Sequence, residues 1–229
     1  MTRTTTIDHL DWGSITVQLD QEGYAVLPDL LCQADAGALA RLPGTSAVER
    51  HVSLEADDMG RGDEFVMAQP LPEWLLTLCT ALHVPLAHLA NSWNEALGVP
   101  HRHALHQGAT PVLTFNRLRE GGYQCLRQRA EGEHMFPLQL VALLSEPGVD
   151  FTGGEFVMVE QRPRMQSRPL VLPLKRGDLA IIPTARRPVK GSRGRYQVNM
   201  KHAISSVLGG ERIGLECLYR CTAESRHLL

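Results

Sequence analysis

The apolar positions divide the chain into two textures. Up to about residue 108 they recur mostly at helical spacing, and beyond it they fall into short alternating or continuous runs. "ITVQLDQEG" suits a short helix, "YAVLPDLL" a strand ending in a turn, and "CQADAGALARL" a helix. "RHVSLEADDMGRGDE" is polar and Gly-containing, which predicts a loop or a flap. "LPEWLLTLCTALHVPLAHLANSWNEALG" carries the strongest helical period, with apolar residues three and four apart. Pro85 lacks an N–H and is expected to break or kink that segment into two helices.

From about residue 110 strand-like runs follow one another: "PVLTFNRLR", "YQCLRQR", "FPLQLVALLS", "GEFVMVEQ", "PLVLPL", "DLAIIPT", "RYQVNMKHAISSV" and "RIGLECLYR". Turn material such as "EGG", "KRGD" and "LGGE" separates them. Many short strands with Gly-rich turns imply a sandwich or small barrel. The fold class is therefore α+β with a mainly β core, in one domain over residues 1–229. A helical and mixed part, 1–108, buttresses a core over 109–229.

Composition narrows the function classes. Lys+Arg 23 against Asp+Glu 25 gives a net charge of −2, without the basic excess of a general nucleic-acid binder. Among the basic residues only Lys175, Lys190 and Lys201 are lysine, so Arg, the residue of planar carboxylate or phosphate recognition, dominates. Five cysteines with no CxxC pair fit free thiols in a cytoplasmic protein. No apolar h-region opens the chain, and no run approaches the ~20 apolar residues of a membrane span. The expected partner is an anionic small molecule, with neither nucleic acid nor membrane, and a homodimer is compatible with the composition.

Arg127 and Arg129 lie two apart just before the most apolar stretch, "MFPLQLVALLS". On a strand both guanidiniums point to one face. A buried charge must be paired, and a ligand carboxylate or phosphate pairs bidentately with Arg. The competing reading is an inert core in which Glu131, Glu155 or Glu160 neutralises the pair.

"HAISSVLGGERIGLECLY", "FPLQLVALLSEPGVDFTGGEFVMVEQRPRMQSRPLVLPLKRGDLAIIP" and "YQCLRQRAEGEHMFPLQ" together resemble a bacterial branch of the iron(II)- and 2-oxoglutarate-dependent oxygenases. "EGYAVLPDLL" and "PLAHLANSW" resemble it too. The resemblance implies a double-stranded β-helix, or cupin-like jelly roll, with helices packed on one side. It also implies a facial triad of two His and one carboxylate around iron. His202 matches the distal His, and Arg212 the Arg that binds the far carboxylate of 2-oxoglutarate. The His-x-Asp pair of the family falls on Arg127-Gln128-Arg129.

Arg has donors only and does not deprotonate in proteins, so it cannot ligate a metal. One Arg about 6 Å from a divalent ion costs roughly 5 kcal/mol at an effective dielectric near 20. Iron is therefore not expected and no metal ligand is assigned, although 2-oxoglutarate or another dicarboxylate could still bind through Arg212. Glu131, Glu133, His134 and Cys125 stand close enough for a rescue set, but Glu133 and His134 are adjacent and face opposite sides of a regular strand.

The candidate ligand-binding residues are Arg127, Arg129 and Arg212. The candidate catalytic residues are His202, whose imidazole titrates near neutrality, and Tyr123, a pocket wall with a hydroxyl. His101, His103 and His106 have the wrong spacing for one helical face and read as a surface feature; Arg193 and Arg195 read as a solvated turn. Three functions fit. One is a metal-independent enzyme doing redox-neutral chemistry (isomerisation, elimination, cyclisation or decarboxylation) in bacterial specialised metabolism. Another is a non-catalytic binding protein. The third is a working dioxygenase with atypical ligands.

Overall fold

The computed structural model describes residues 7, 9–105, 109–129, 136–192 and 194–221. The first half of the chain runs α1 (Trp12–Glu22), β1 (Ala25–Leu27), α2 (Gln33–Ala40), β2 (Val48–Ser53), β3 (Gly60–Arg61), β4 (Asp63–Met67) and α3 (Glu73–Leu97). The second half is all strand: β5 (Ala109–Arg119), β6 (Tyr123–Arg127), β7 (Leu138–Leu143), β8 (Phe151–Gly153), β9 (Phe156–Gln161), β10 (Arg168–Leu172), β11 (Leu179–Pro183), β12 (Arg186–Gly191), β13 (Gly194–Ile204) and β14 (Val207–Cys221).

The strands form two sheets. The larger runs β1-β11-β7-β14-β5-β4-β2, with β8 on β14, and the smaller runs β10-β9-β13-β6-β3, with β12 on β13. All the ladders are antiparallel. This is the two-sheet sandwich of a jelly roll.

The larger sheet is buried on both faces, and period-two alternation sorts its side chains. Leu140, Ala142, Leu179, Ile181, Leu215, Cys217 and Tyr219 pack toward the helices. Val141, Leu143, Ala180 and Ile182 pack inward, with Phe156, Met158, Val198, Met200 and Ile204 of the smaller sheet. That is why "LQLVAL" is apolar without alternation.

Local signals set the helix ends. Asp11 Oδ1 accepts the Ser14 N–H at 3.0 Å, and α1 stops at Gly23, which takes φ +84. Buried Arg187 donates to the carbonyls of Leu19 and Asp20 in the last turn of α1 and to Glu160, tying the helix to the smaller sheet.

Two expectations are corrected. Pro85 does not divide the long helix: α3 is continuous from Glu73 to Leu97. Its buried stripe of Leu78, Leu82, Leu86, Leu89 and Trp93 runs through the proline, so packing on both sides outweighs one missing hydrogen bond. The segment expected as a loop or flap is a loop over 54–59, but its flanks are strand, the end of β2 on one side and, on the other, β3 paired with β6 and the start of β4 paired with β5. A Cβ on Gly60 would sit 2.3 Å from the Tyr123 carbonyl oxygen, so only glycine lets β3 approach. No described helix is long and apolar enough to cross a membrane.

Candidate functional site

The two sheets bring opposite charges to the same place. On the larger sheet Glu64 of β4 pairs laterally with Asn116 of β5, and Asn116 with Gly214 of β14. Arg212, Gly214 and Glu216 are two apart along β14 and therefore share the inward face. On the smaller sheet His202 of β13 stands opposite Arg127 of β6.

A bulge aims the arginines. His202 pairs with Arg127 and Ile204 with Gln124, so β6 spends one residue more than β13 between these pairs. Gln124 and Arg127, three apart, therefore share a face, and both reach Glu64.

Arg127 Nη2 donates to Glu64 Oε1 at 2.5 Å and to Glu216 Oε1 at 3.0 Å. Arg129 donates to Glu216 Oε2 from Nη2 at 2.9 Å and from Nε at 3.2 Å, and to Glu64 Oε1 at 3.3 Å. Gln124 Nε2 adds a third donor to Glu64 Oε1 at 2.8 Å. Two cations and two carboxylates thus close into one buried cluster. The acids named beforehand are elsewhere: Glu160 pairs with Arg187 and Arg162, Glu155 accepts from Ser205, and Glu131 lies outside the described residues. Glu133, His134, His106 and Arg193 lie outside them too.

The electrostatics follow from burial. Burial pushes the Glu216 carboxyl up, but Arg129 and Arg127 outweigh it and hold the group well below the usual carboxylate range. Desolvation alone would lower Arg127, yet Glu216 and Glu64 raise it. His202 is brought down to about 4, first by burial and then by Arg127 and Arg129, so its imidazole is neutral at pH 7. Its Nδ1 lies 3.4 Å from Gln139 Nε2, and its ring stacks on Phe156. Four buried atoms of this locus lack a hydrogen-bond partner among the described residues: Gln124 Oε1, Arg127 Nε, Gln139 Oε1 and His202 Nε2.

Arg212 is placed differently. Its Nε donates to the Gly154 carbonyl at 2.7 Å and its Nη1 to Asn116 Oδ1 at 2.8 Å, both neutral acceptors. It forms no salt bridge among the described residues, and burial lowers it to about 10. It lines a cavity of about 390 Å³ together with Phe151, Gly154, Glu155, Phe156 and Leu172. A Cβ on Gly214 would lie 2.8 Å from Arg212 Nη1 and 2.6 Å from Asn116 Oδ1, so this glycine makes room for the pair.

The structure therefore gathers Arg127, Arg129 and His202 around Glu216, with Arg212 on the same strand face. Tyr123 stands apart. It is 40% exposed, pairs with Arg61, and neighbours Gln124, whose side chain takes the inward face. It makes no hydrogen bond to His202 or the three arginines among the described residues. His103, expected on the surface, is half-buried against Phe136. Arg195 is exposed and bridges to Asp20 at 3.2 Å. Among the described residues no group of three or more His, Cys, Asp or Glu is arranged to hold a metal ion.

Residues 62–221 match the family Oxygenase-NA, described as "Oxygenase, catalysing oxidative methylation of damaged DNA". An uncharacterised protein found in two strains of Mycobacterium tuberculosis is 34% identical over 166 residues, 67% of this chain and 71% of the relative. Among solved structures, a Pseudomonas putida prolyl-4-hydroxylase superposes with a TM-score of 0.56 at 15% identity, over 93% of this chain and 100% of that one. A 2OG-Fe(II) oxygenase-family oxidoreductase from Burkholderia pseudomallei gives a TM-score of 0.54 at 18% identity, over 93% and 92%. The 2-oxoglutarate-dependent epimerase SnoN of nogalamycin biosynthesis gives 0.58 at 14%, over 92% and 80%. These structures share the jelly roll. By its sequence the chain belongs to the Oxygenase-NA family.

Proposed function

We propose that this chain is an iron-independent member of the oxygenase family that binds a small organic anion through Arg212. The observation that carries the reading is the donor set around His202. By the sequence resemblance Arg127 and Arg129 fall at the positions of the family's metal-binding pair, and Arg offers no lone pair to a metal. Glu64 Oε1 and both oxygens of Glu216 already accept from the arginines. Seating a divalent ion would break these pairs and leave two guanidiniums beside it. The residues present do not fit iron.

The same count supports an anion at Arg212. Arg127 and Arg129 are matched by Glu64 and Glu216, whereas Arg212, also buried, donates only to neutral acceptors among the described residues. His202, neutral with an unpartnered Nε2, is the group able to hold or pass a proton. The proposed chemistry is redox-neutral, with Arg212 stabilising negative charge that develops on the bound acid. The family description concerns oxidative chemistry on damaged DNA. A net charge of −2 and the engaged carboxylates weigh against extending that substrate to this chain.

A non-catalytic binding protein is the second reading. It is favoured by Phe156, whose ring both lines the cavity and stacks on His202, and so stands between the two. Succinate release tests the main reading. Protein incubated with iron(II), ascorbate, 2-oxoglutarate and oxygen is expected to give no more succinate than a protein-free control. Iron-dependent succinate overturns it.

A further inference from the structure

We infer that the Arg212 cavity takes an acid with one carboxylate and an apolar tail, not a dicarboxylate. This rests on the proposed anion binding at Arg212 and specifies its ligand. Three observations carry it.

The first is charge. Arg212 offers one cation without a salt bridge among the described residues. A second ligand carboxylate would find Arg127 and Arg129 already matched by Glu64 and Glu216. The ionisable side chain it would meet in the cavity wall is Glu155, whose carboxyl is held below its usual range by Ser205, by its own backbone N–H and, more weakly, by Arg212. That group is an anion at pH 7 and repels another.

The second is the lining. The Phe151 ring lies under the Arg212 guanidinium, 6.0 Å from it, and Leu143, Phe156, Leu172 and Leu174 add to the apolar wall. At about 390 Å³ the space falls in the range of small-molecule pockets.

The third is the mouth. Val171, a wall residue, is 56% exposed. Leu208, against the wall residue Gly153, is 72% exposed. Exposed apolar side chains on and beside the wall offer contact to apolar ligand surface. The cation lies at the buried end and the apolar surface continues outward, the polarity of an amphiphilic monoanion entering head first.

Titration calorimetry with hexanoate, octanoate, glutarate and 2-oxoglutarate tests this on the intact chain. Octanoate is expected to bind at least tenfold more tightly than either dicarboxylate. Octanoate should exceed hexanoate by roughly tenfold, since a buried methylene contributes about three- to fourfold each. Arg212→Gln should abolish binding of every acid. Leu172→Ala, which trims the apolar wall without adding charge, should weaken octanoate threefold or more; octanoate affinity unchanged in that variant would overturn the inference if Arg212→Gln does not fold. Dicarboxylates binding as tightly as octanoate, in an Arg212-dependent way, would overturn the inference and leave the anion reading standing. No binding by any acid, or octanoate binding undiminished in folded Arg212→Gln, would overturn both.

Discussion

Arg127 and Glu216 come from facing sheets, 89 residues apart in sequence, and meet at 3.0 Å with both side chains buried. Glu64 and Arg129 close the cluster. Because each charge was removed from water, what matters is whether it stays paired. Glu216→Gln removes the carboxylate that both arginines share. It is expected to cost about 3–5 kcal/mol in urea unfolding, the range for an uncompensated buried charge. Replacing the whole cluster (Glu64→Gln, Arg127→Met, Arg129→Met, Glu216→Leu) is expected to cost less than Glu216→Gln alone. A quadruple variant less stable than the single one would show that the cluster is net stabilising.

Stability should also depend on pH through His202. Burial lowers it from 6.5 to about 4 in the folded protein, so between these values the unfolded chain binds more protons. Stability is then fully present above pH 6.5 and falls as pH drops toward 4, by about 3 kcal/mol from this residue. Glu216, whose folded value is depressed, removes more stability below the unfolded carboxylate range near pH 4. His202→Gln should flatten the slope between pH 4 and 6.5 and leave the steeper loss below it. Urea midpoints measured across pH 3.5–8 check this.

Gly214 allows Arg212 and Asn116 to meet above the strand. Gly214→Ala puts a methyl within 2.8 Å of Arg212 Nη1. Overpacking of this kind costs about 1–3 kcal/mol. Since the guanidinium must move, anion affinity should fall while the fold persists. Unchanged affinity in a folded Gly214→Ala protein would separate the ligand from Arg212.

Arg187 holds α1 against the smaller sheet. Arg187→Met leaves Glu160 with Arg162 alone and strips donors from the Leu19 and Asp20 carbonyls. A loss of about 3 kcal/mol is expected. Hydrogen exchange should quicken first at the C-terminal turn of α1, before the strands of the core.

The sandwich was legible because its strands keep their period: "DLAIIPT" and "FPLQLVALLS" read as buried strands and are β11 and β7. Arg127 and Arg129 were legible as a pair aimed one way. Their partners were not, for two reasons. Glu64 belongs to a polar stretch that looks like a loop, and only pairing with β5, more than fifty residues on, makes it a strand. Glu216 lay in view, a lone carboxylate within "IGLECLY"; a buried strand cannot hold an unpaired carboxylate, and that signal pointed to a cation opposite. The β6 bulge, which puts Gln124 instead of Tyr123 on the face of Arg127, leaves no mark in "YQCLRQR" because register depends on the neighbouring strand.

The most direct measurement is anaerobic iron(II) binding by the purified protein with excess 2-oxoglutarate, read as bound iron per chain together with the visible charge-transfer band. The ion pairs of Arg127 and Arg129 with Glu64 and Glu216 predict no bound iron and no band. One iron per chain with the band would contradict the reading, place the ligands elsewhere, and return the protein to the working oxygenases.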